Sequence, residues 1–236
     1  APIEAELKFF HCEERSSLPT NGGRLSTTEI ISGALNNVWP HVLRDERENG
    51  STLLRKLALK IHQDNAVGQA GKLASALFVI DGPTLGDDRV IMFAGTPTDT
   101  QADIIATPPT RIYCAGRLVT AITAGDTQAT FAVKHEDELA GLLDADEVRV
   151  TDKLTPAGSG NVEYKTVDGT PSVSGLNITF QVTTAFANSY AIYDQETYTG
   201  GKVGVIRDAG QVLAYAGAMT FNGAGTGTYD EAGNAV

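Results

Sequence analysis

The sequence predicts a mainly β protein of the sandwich or barrel type, with one N-terminal helix packed on the sheet and a short second helix. Three observations lead there. Leu57, Leu59 and Ile61 alternate with Lys56, Ala58, Lys60 and His62, the two-residue period of a strand with one buried and one wet face. Turn signals such as Asp81-Gly82-Pro83 and Gly86-Asp87-Asp88 separate apolar runs at a spacing of about ten residues. The 25 glycines supply the tight turns that many short strands require.

Taken in order, residues 5–12 read as a first strand, followed by a polar, turn-rich arm over 13–24 with Pro19 and Asn21-Gly22-Gly23. Ser26-Thr27-Thr28-Glu29 matches a capping box, and Ile30, Ile31, Ala34, Leu35, Val38, Val42 and Leu43 recur at helical spacing. The expectation is a helix over 26–43, kinked at Pro40 and stopped by Gly50. Further strands are expected at 73–80 and 89–94. A long polar segment over 96–110 carries Pro97, Pro108 and Pro109, with room for one helical turn at 101–105. Strands are expected again at 111–124, 127–133, 147–151, 162–167 and 175–184. A short helix is expected over 136–143, and a last hairpin from 202–207 and 211–221.

The length suits one large β domain or two small ones, and Pro108-Pro109 marks the expected boundary. This gives an N-terminal β subdomain over 1–108, containing the helix, and a C-terminal β subdomain over 109–236. With 42% hydrophobic and 20% charged residues the chain is globular rather than disordered. A net charge of −11 without any basic cluster argues against sequence-specific nucleic-acid binding. No apolar run approaches the ~20 residues of a membrane helix, and Ala1-Pro2-Ile3-Glu4 lacks the order of a secretory signal. Cys12 and Cys114, far apart in sequence, read as two buried thiols in a reducing compartment.

Motifs for catalysis are missing. His11, His41, His62 and His135 form no zinc-binding pair, the serines lack a nucleophile elbow, and the glycine runs lack the strand–helix context of a phosphate loop. Asp81, Asp87 and Asp88 fail the spacing of a calcium loop and read as turn residues. Trp39 reads as a core aromatic first and an interface anchor second. No enzyme, cofactor or metal is expected.

Several stretches carry a resemblance: Asn21-Gly22-Gly23-Arg24-Leu25-Ser26, Asn36-Asn37-Val38-Trp39-Pro40, Gly86-Asp87-Asp88-Arg89-Val90, Gly95-Thr96 and Asp99-Thr100-Gln101-Ala102-Asp103-Ile104. Over roughly its first 105 residues, and more loosely over 146–184, the chain resembles uncharacterised virion structural proteins of tailed bacteriophages. The resemblance implies a tail, baseplate or neck component, built into a homo-oligomeric ring with other virion proteins and assembled in the bacterial host cytoplasm. It transfers no catalytic or cofactor residue. Polar arms and loops suit contacts between neighbouring subunits, which makes Arg15, Pro19, Arg24, Trp39, Asp99, Gln101 and Asp103 the candidate assembly contacts. A receptor- or carbohydrate-binding β module and a capsid decoration protein are the alternatives.

Overall fold

The computed structural model describes residues 7–61, 77–84, 86, 88–155 and 157–208. Two compact units emerge. The first draws on the chain before Leu77 and on Ala94–Pro108, the second on Leu77–Phe93 and Pro109–Asp208.

In the first unit, β1 (Leu7–Glu14) is the central strand of a three-stranded antiparallel sheet, flanked by β2 (Gly22–Glu29) and β3 (Leu57–Ile61). Phe10 lies opposite Ala58, and Cys12 opposite Leu25. Phe10, Leu25 and Ala58 pack as a small core, with Cys12 also buried.

The helix expected over 26–43 does not form. Residues up to Glu29 belong to β2, and 30–43 run as turns and irregular chain. Thr27, Thr28, Ile30 and Ile31 are β-branched, which favours the strand, and Gly33, Asn36, Asn37 and Pro40 then break any helical run. The Ser26 hydroxyl, expected to cap a helix, instead donates to the His11 carbonyl across the β1–β2 pair at 2.9 Å. A helix appears only at α1 (Arg44–Asn49), where the Leu43 amide donates to Glu46 and Arg44 pairs with Glu48 one turn on at 2.7 Å. The short turn expected near 101–105 is α2 (Gln101–Ala106), capped by Thr100 and Asp103.

The second unit is a closed six-stranded antiparallel barrel. Its strands are β5 (Ala115–Leu118), β6 (Gln128–Ala132), β7 (Glu147–Thr151), β8 (Val162–Ser174), β9 (Asn177–Val182) and β10 (Lys202–Val205), and their order is β10-β5-β6-β9-β8-β7. β7, β8 and β9 meander, and β10 returns beside β7, which is a Greek key. Closure leaves no free sheet edge. Leu118, Phe131, Val148, Val150, Val167, Ile178, Phe180, Val203 and Val205 fill the interior, with Phe131 and Phe180 edge to face at 5.9 Å. Gly116 on β5 must be small, because a Cβ there would collide with the Phe131 ring.

β4 (Leu77–Phe78) pairs with β11 (Arg207–Asp208), and residues 79–84 then cross the outer face of β10. Val79 and Ile80 lie directly on Gly204. The strand expected at 89–94 reduces to one bridge, Met92 to Tyr113, and that expected at 111–124 forms only as β5 with isolated bridges around it. The helix expected over 136–143 is a single 3₁₀ turn, Glu136–Glu138. Gly141, three residues on, packs where a Cβ would press on the Ile112 carbonyl. The strand expected at 162–167 extends to Ser174, bulged between Asp168 and Ser172. The expected segment 211–221 and the first half of 73–80 lie outside the described residues.

Candidate functional site

The arm and the polar loop meet in the first unit. The Gly23 amide donates to the Asp99 carbonyl at 2.9 Å, Gln101 N to Asn21 O at 2.7 Å, and Ala102 N to Pro19 O at 2.9 Å. Asn21, 3% exposed, is the hub: its side-chain amide donates to the Leu54 carbonyl at 2.8 Å and to Gln101 Oε1 at 3.3 Å. Lys56 binds the other side, its Nζ reaching the carbonyls of Gly23 (2.6 Å), Pro97 (2.9 Å) and Asp99 (3.0 Å). Burial pushes the Lys56 ammonium below its ordinary value, partly offset by Cys12, Asp99 and Asp103.

A polar, turn-rich arm with few large apolar residues is expected to stand apart from the core; here it is packed into the first unit instead. Asn21 and Gly22 are buried, and Gly22 bridges to Thr100. A Cβ on Gly22 would press on the Asp99 carbonyl, and its φ of 110° suits glycine, so the arm fits against the loop only with glycine there.

Pro19, Asp99 and Gln101 gather around this hub. Arg15 and Arg24 are exposed at the end of β1 and on β2. Asp103 accepts from the Thr100 amide and hydroxyl at 2.8 and 2.7 Å, and these bonds hold its carboxyl below the usual carboxylate range. Asp99 likewise folds back onto the Thr96 amide at 2.6 Å. Both carboxylates therefore cap their own loop. Trp39 is 38% exposed and lies under the Arg55 guanidinium, 5.9 Å from the ring centre. Arg55 is tied in turn to the carbonyls of Ser16 and Leu54 at 2.9 and 2.6 Å. Ile31, Leu35, Val42 and Leu43, on the same segment as Trp39, are 56–92% exposed.

The second unit holds a cavity of about 450 Å³ on the outside of the barrel. Arg117, Lys202 and Arg149 share that outer face, since Lys202 lies opposite Arg117, and Gly204 lies opposite Arg149. Asp81 answers two of these cations, bonding Arg149 and, at 3.4 Å, Lys202. Lys134 Nζ is consumed by Thr84 Oγ1 and the Asp88 carbonyl, both at 2.8 Å. Arg117 lines the cavity with no hydrogen-bond or ion-pair partner among the described residues. Tyr193, Gln195 and Tyr198 line the same cavity, and the Tyr193 amide donates to the Leu118 carbonyl beside Arg117 at 3.0 Å. Burial pushes the Tyr193 phenol up, as does Tyr198, against the opposing pull of Arg117. Tyr198 has a left-handed backbone at φ 58°, a conformation uncommon for a bulky residue.

Sequence reasoning missed Asn21, Lys56, Arg117, Tyr193 and Tyr198 as site residues. Their partners are remote in sequence, and no spacing announces them. Among the described residues, no group of three or more His, Cys, Asp or Glu side chains is placed to hold a metal, and no helix is long and apolar enough to cross a membrane. No protein-family model matches the chain, and no curated protein matches it.

Proposed function

We propose that this protein is a non-enzymatic structural component of a tailed-phage virion, of the tail, baseplate or neck, that assembles into a symmetric ring. The observation that carries the reading is the exposed apolar segment of the first unit. Leu35 is 92% exposed, Leu43 64%, Val42 58% and Ile31 56%, a density of apolar surface that monomeric proteins rarely leave in water. The segment is followed by α1, which buries none of its own residues. A neighbouring copy of the same chain is the occupant proposed, because a ring repeats one heterologous contact around its axis. The arm–loop knot supports this reading by fixing Trp39 through Arg55, so that the segment leaves a rigid base. Resemblance over residues 21–26, 36–40 and 99–104 points to the same class of protein.

The test is mass spectrometry and averaged cryo-electron microscopy of purified particles. The expected result is the chain in stoichiometric amount, as a ring at one position along the tail axis, with residues 31–43 at the subunit boundary. Absence of the chain from purified particles overturns the proposal.

A further inference from the structure

We propose that the cavity beside Arg117 is a binding site for a carboxylated sugar, a function separate from ring assembly. Three features of the second unit converge on this ligand. The first is charge. Arg117, Lys134, Arg149 and Lys202 lie together in a protein whose net charge is −11, and Asp81 is the carboxylate bonded to this group. Lys202 and Arg149 are spent on Asp81, and Lys134 on neutral oxygens, so the unpaired guanidinium of Arg117 is the cation offered to a ligand. A guanidinium presents parallel N–H donors whose fork matches a carboxylate.

The second feature is the rest of the lining. Tyr193, Tyr198 and Gln195 supply two phenols and an amide. These groups both donate and accept hydrogen bonds, as sugar hydroxyls require, while the aromatic rings give flat faces for the C–H face of a pyranose. Leu176 and Val133 add apolar contact. The third feature is shape. A volume of about 450 Å³ holds one or two sugar rings. The barrel is closed, so a peptide has no free strand edge to extend here.

The geometry makes Arg117 the specificity residue and the Tyr193–Tyr198 loop the platform. Asp194 does not oppose the anion, because its carboxylate is turned onto the Glu196 and Thr197 amides of its own loop, at 2.8 and 3.4 Å. Residues 80–84 are held on the barrel by Asp81, so Thr84 forms a fixed rim.

The test titrates the intact chain with glucuronic acid, glucose and inorganic phosphate, followed by calorimetry and ligand-observed NMR. Glucuronic acid is expected to bind, with glucose and phosphate each weaker by about tenfold or more. Arg117→Gln is expected to lower glucuronic acid affinity by about tenfold while melting with the wild type, since it breaks no internal bond. Gln195→Ala, in an exposed loop, is expected to weaken glucuronic acid by a smaller factor and provides the reading if Arg117→Gln fails to fold. No binding of glucuronic acid at millimolar concentration overturns the proposal. So does glucose or phosphate binding as tightly as glucuronic acid, or full affinity in the folded Arg117→Gln or Gln195→Ala protein.

Discussion

Glu163 and Lys165 stand on the inward face of β8 and pair at 2.9 Å, each side chain less than 10% exposed. Their neighbours in register, Val150 and Val148, are core residues, so the ion pair lies inside the barrel. The Glu163 carboxylate also accepts from the amides of Ala187 and Asn188 at 2.9 and 2.8 Å and from the Tyr190 hydroxyl at 3.2 Å. Lys165 donates to the Ala185 carbonyl at 2.6 Å and sits over the Phe186 ring. The pair thus ties residues 185–190 to the barrel end.

Acid should weaken this plug. Burial alone would raise the Glu163 carboxyl, but the Ala187 and Asn188 amides and the Lys165 ammonium hold it at about 2, against an ordinary 4.5. A carboxyl lowered on folding contributes its full stabilisation above pH 4.5 and loses it as the pH falls towards 2. The amount is at most about 3 kcal/mol. Glu163→Gln should cost about 3–5 kcal/mol at neutral pH, because it strands a buried ammonium, and should flatten the acid limb. Denaturant melts from pH 7 to 2 measure both; an unchanged acid limb in Glu163→Gln would place the titration elsewhere.

The arm should be protected before any assembly. Gly23, Gln101 and Ala102 donate their amides into the knot, and Lys56 collects three carbonyls at its centre. Hydrogen exchange on the monomer is expected to show these amides slowed by at least about a hundredfold relative to free chain. Lys56→Met should remove the protection and lower stability of the first unit by about 2 kcal/mol. Fast exchange in the wild type would return the arm to the role of a free tether.

The β class was legible because its signal is local: alternation at Leu57–Ile61, and turns rich in Gly and Asp. The face of that strand was not, since Ala58 is buried in the core and Leu57 is 41% exposed, the reverse of the expected pattern. The helix over 26–43 failed on competition between two local signals. Ile30, Ile31, Leu35 and Val38 fit a helical period, yet they are exposed or half-buried because no partner surface receives that face. Periodicity marks apolar positions and says nothing of what covers them. The knot and the cavity were illegible for another reason. Asn21 meets Leu54 and Gln101, and Arg117 shares a cavity with Tyr193, across separations in sequence that only the folded chain closes.

Both cysteines should be reduced and shielded. Cys12 and Cys114 are free and buried, and burial pushes their thiols up to about 11 and about 12. The thiolate is the reactive form, so both should resist a thiol reagent at neutral pH in the native protein. Titration in denaturant without reductant should then count both thiols as free. A native thiol reacting at the rate of free cysteine contradicts the burial assigned to it.

The seating of residues 79–84 on the barrel gives the last prediction. Gly204 on β10 has no side chain because Val79 Cγ2 and the Ile80 carbonyl occupy the space a Cβ would take. Gly82 is pressed in the same way by the Lys202 side chain, 2.6 Å from where its Cβ would stand. Backbone cannot yield as a flexible side chain can, so Gly204→Ala must lift residues 79–80 or shift β10. Overpacking of this kind costs about 1–3 kcal/mol. Displacing these residues also draws Asp81 from Arg149 and Lys202, leaving buried cations without their partner, which adds to the loss. Gly95→Ala is the control, since the nearest atom to its Cβ, Asp99 Oδ2, lies at an ordinary 3.5 Å. Thermal melts should separate the two variants, with Gly204→Ala clearly destabilised and Gly95→Ala close to wild type. Limited proteolysis should show new cleavage near Arg89 in Gly204→Ala alone. Equal melting of both variants would mean that residues 79–80 do not rest on β10 as described.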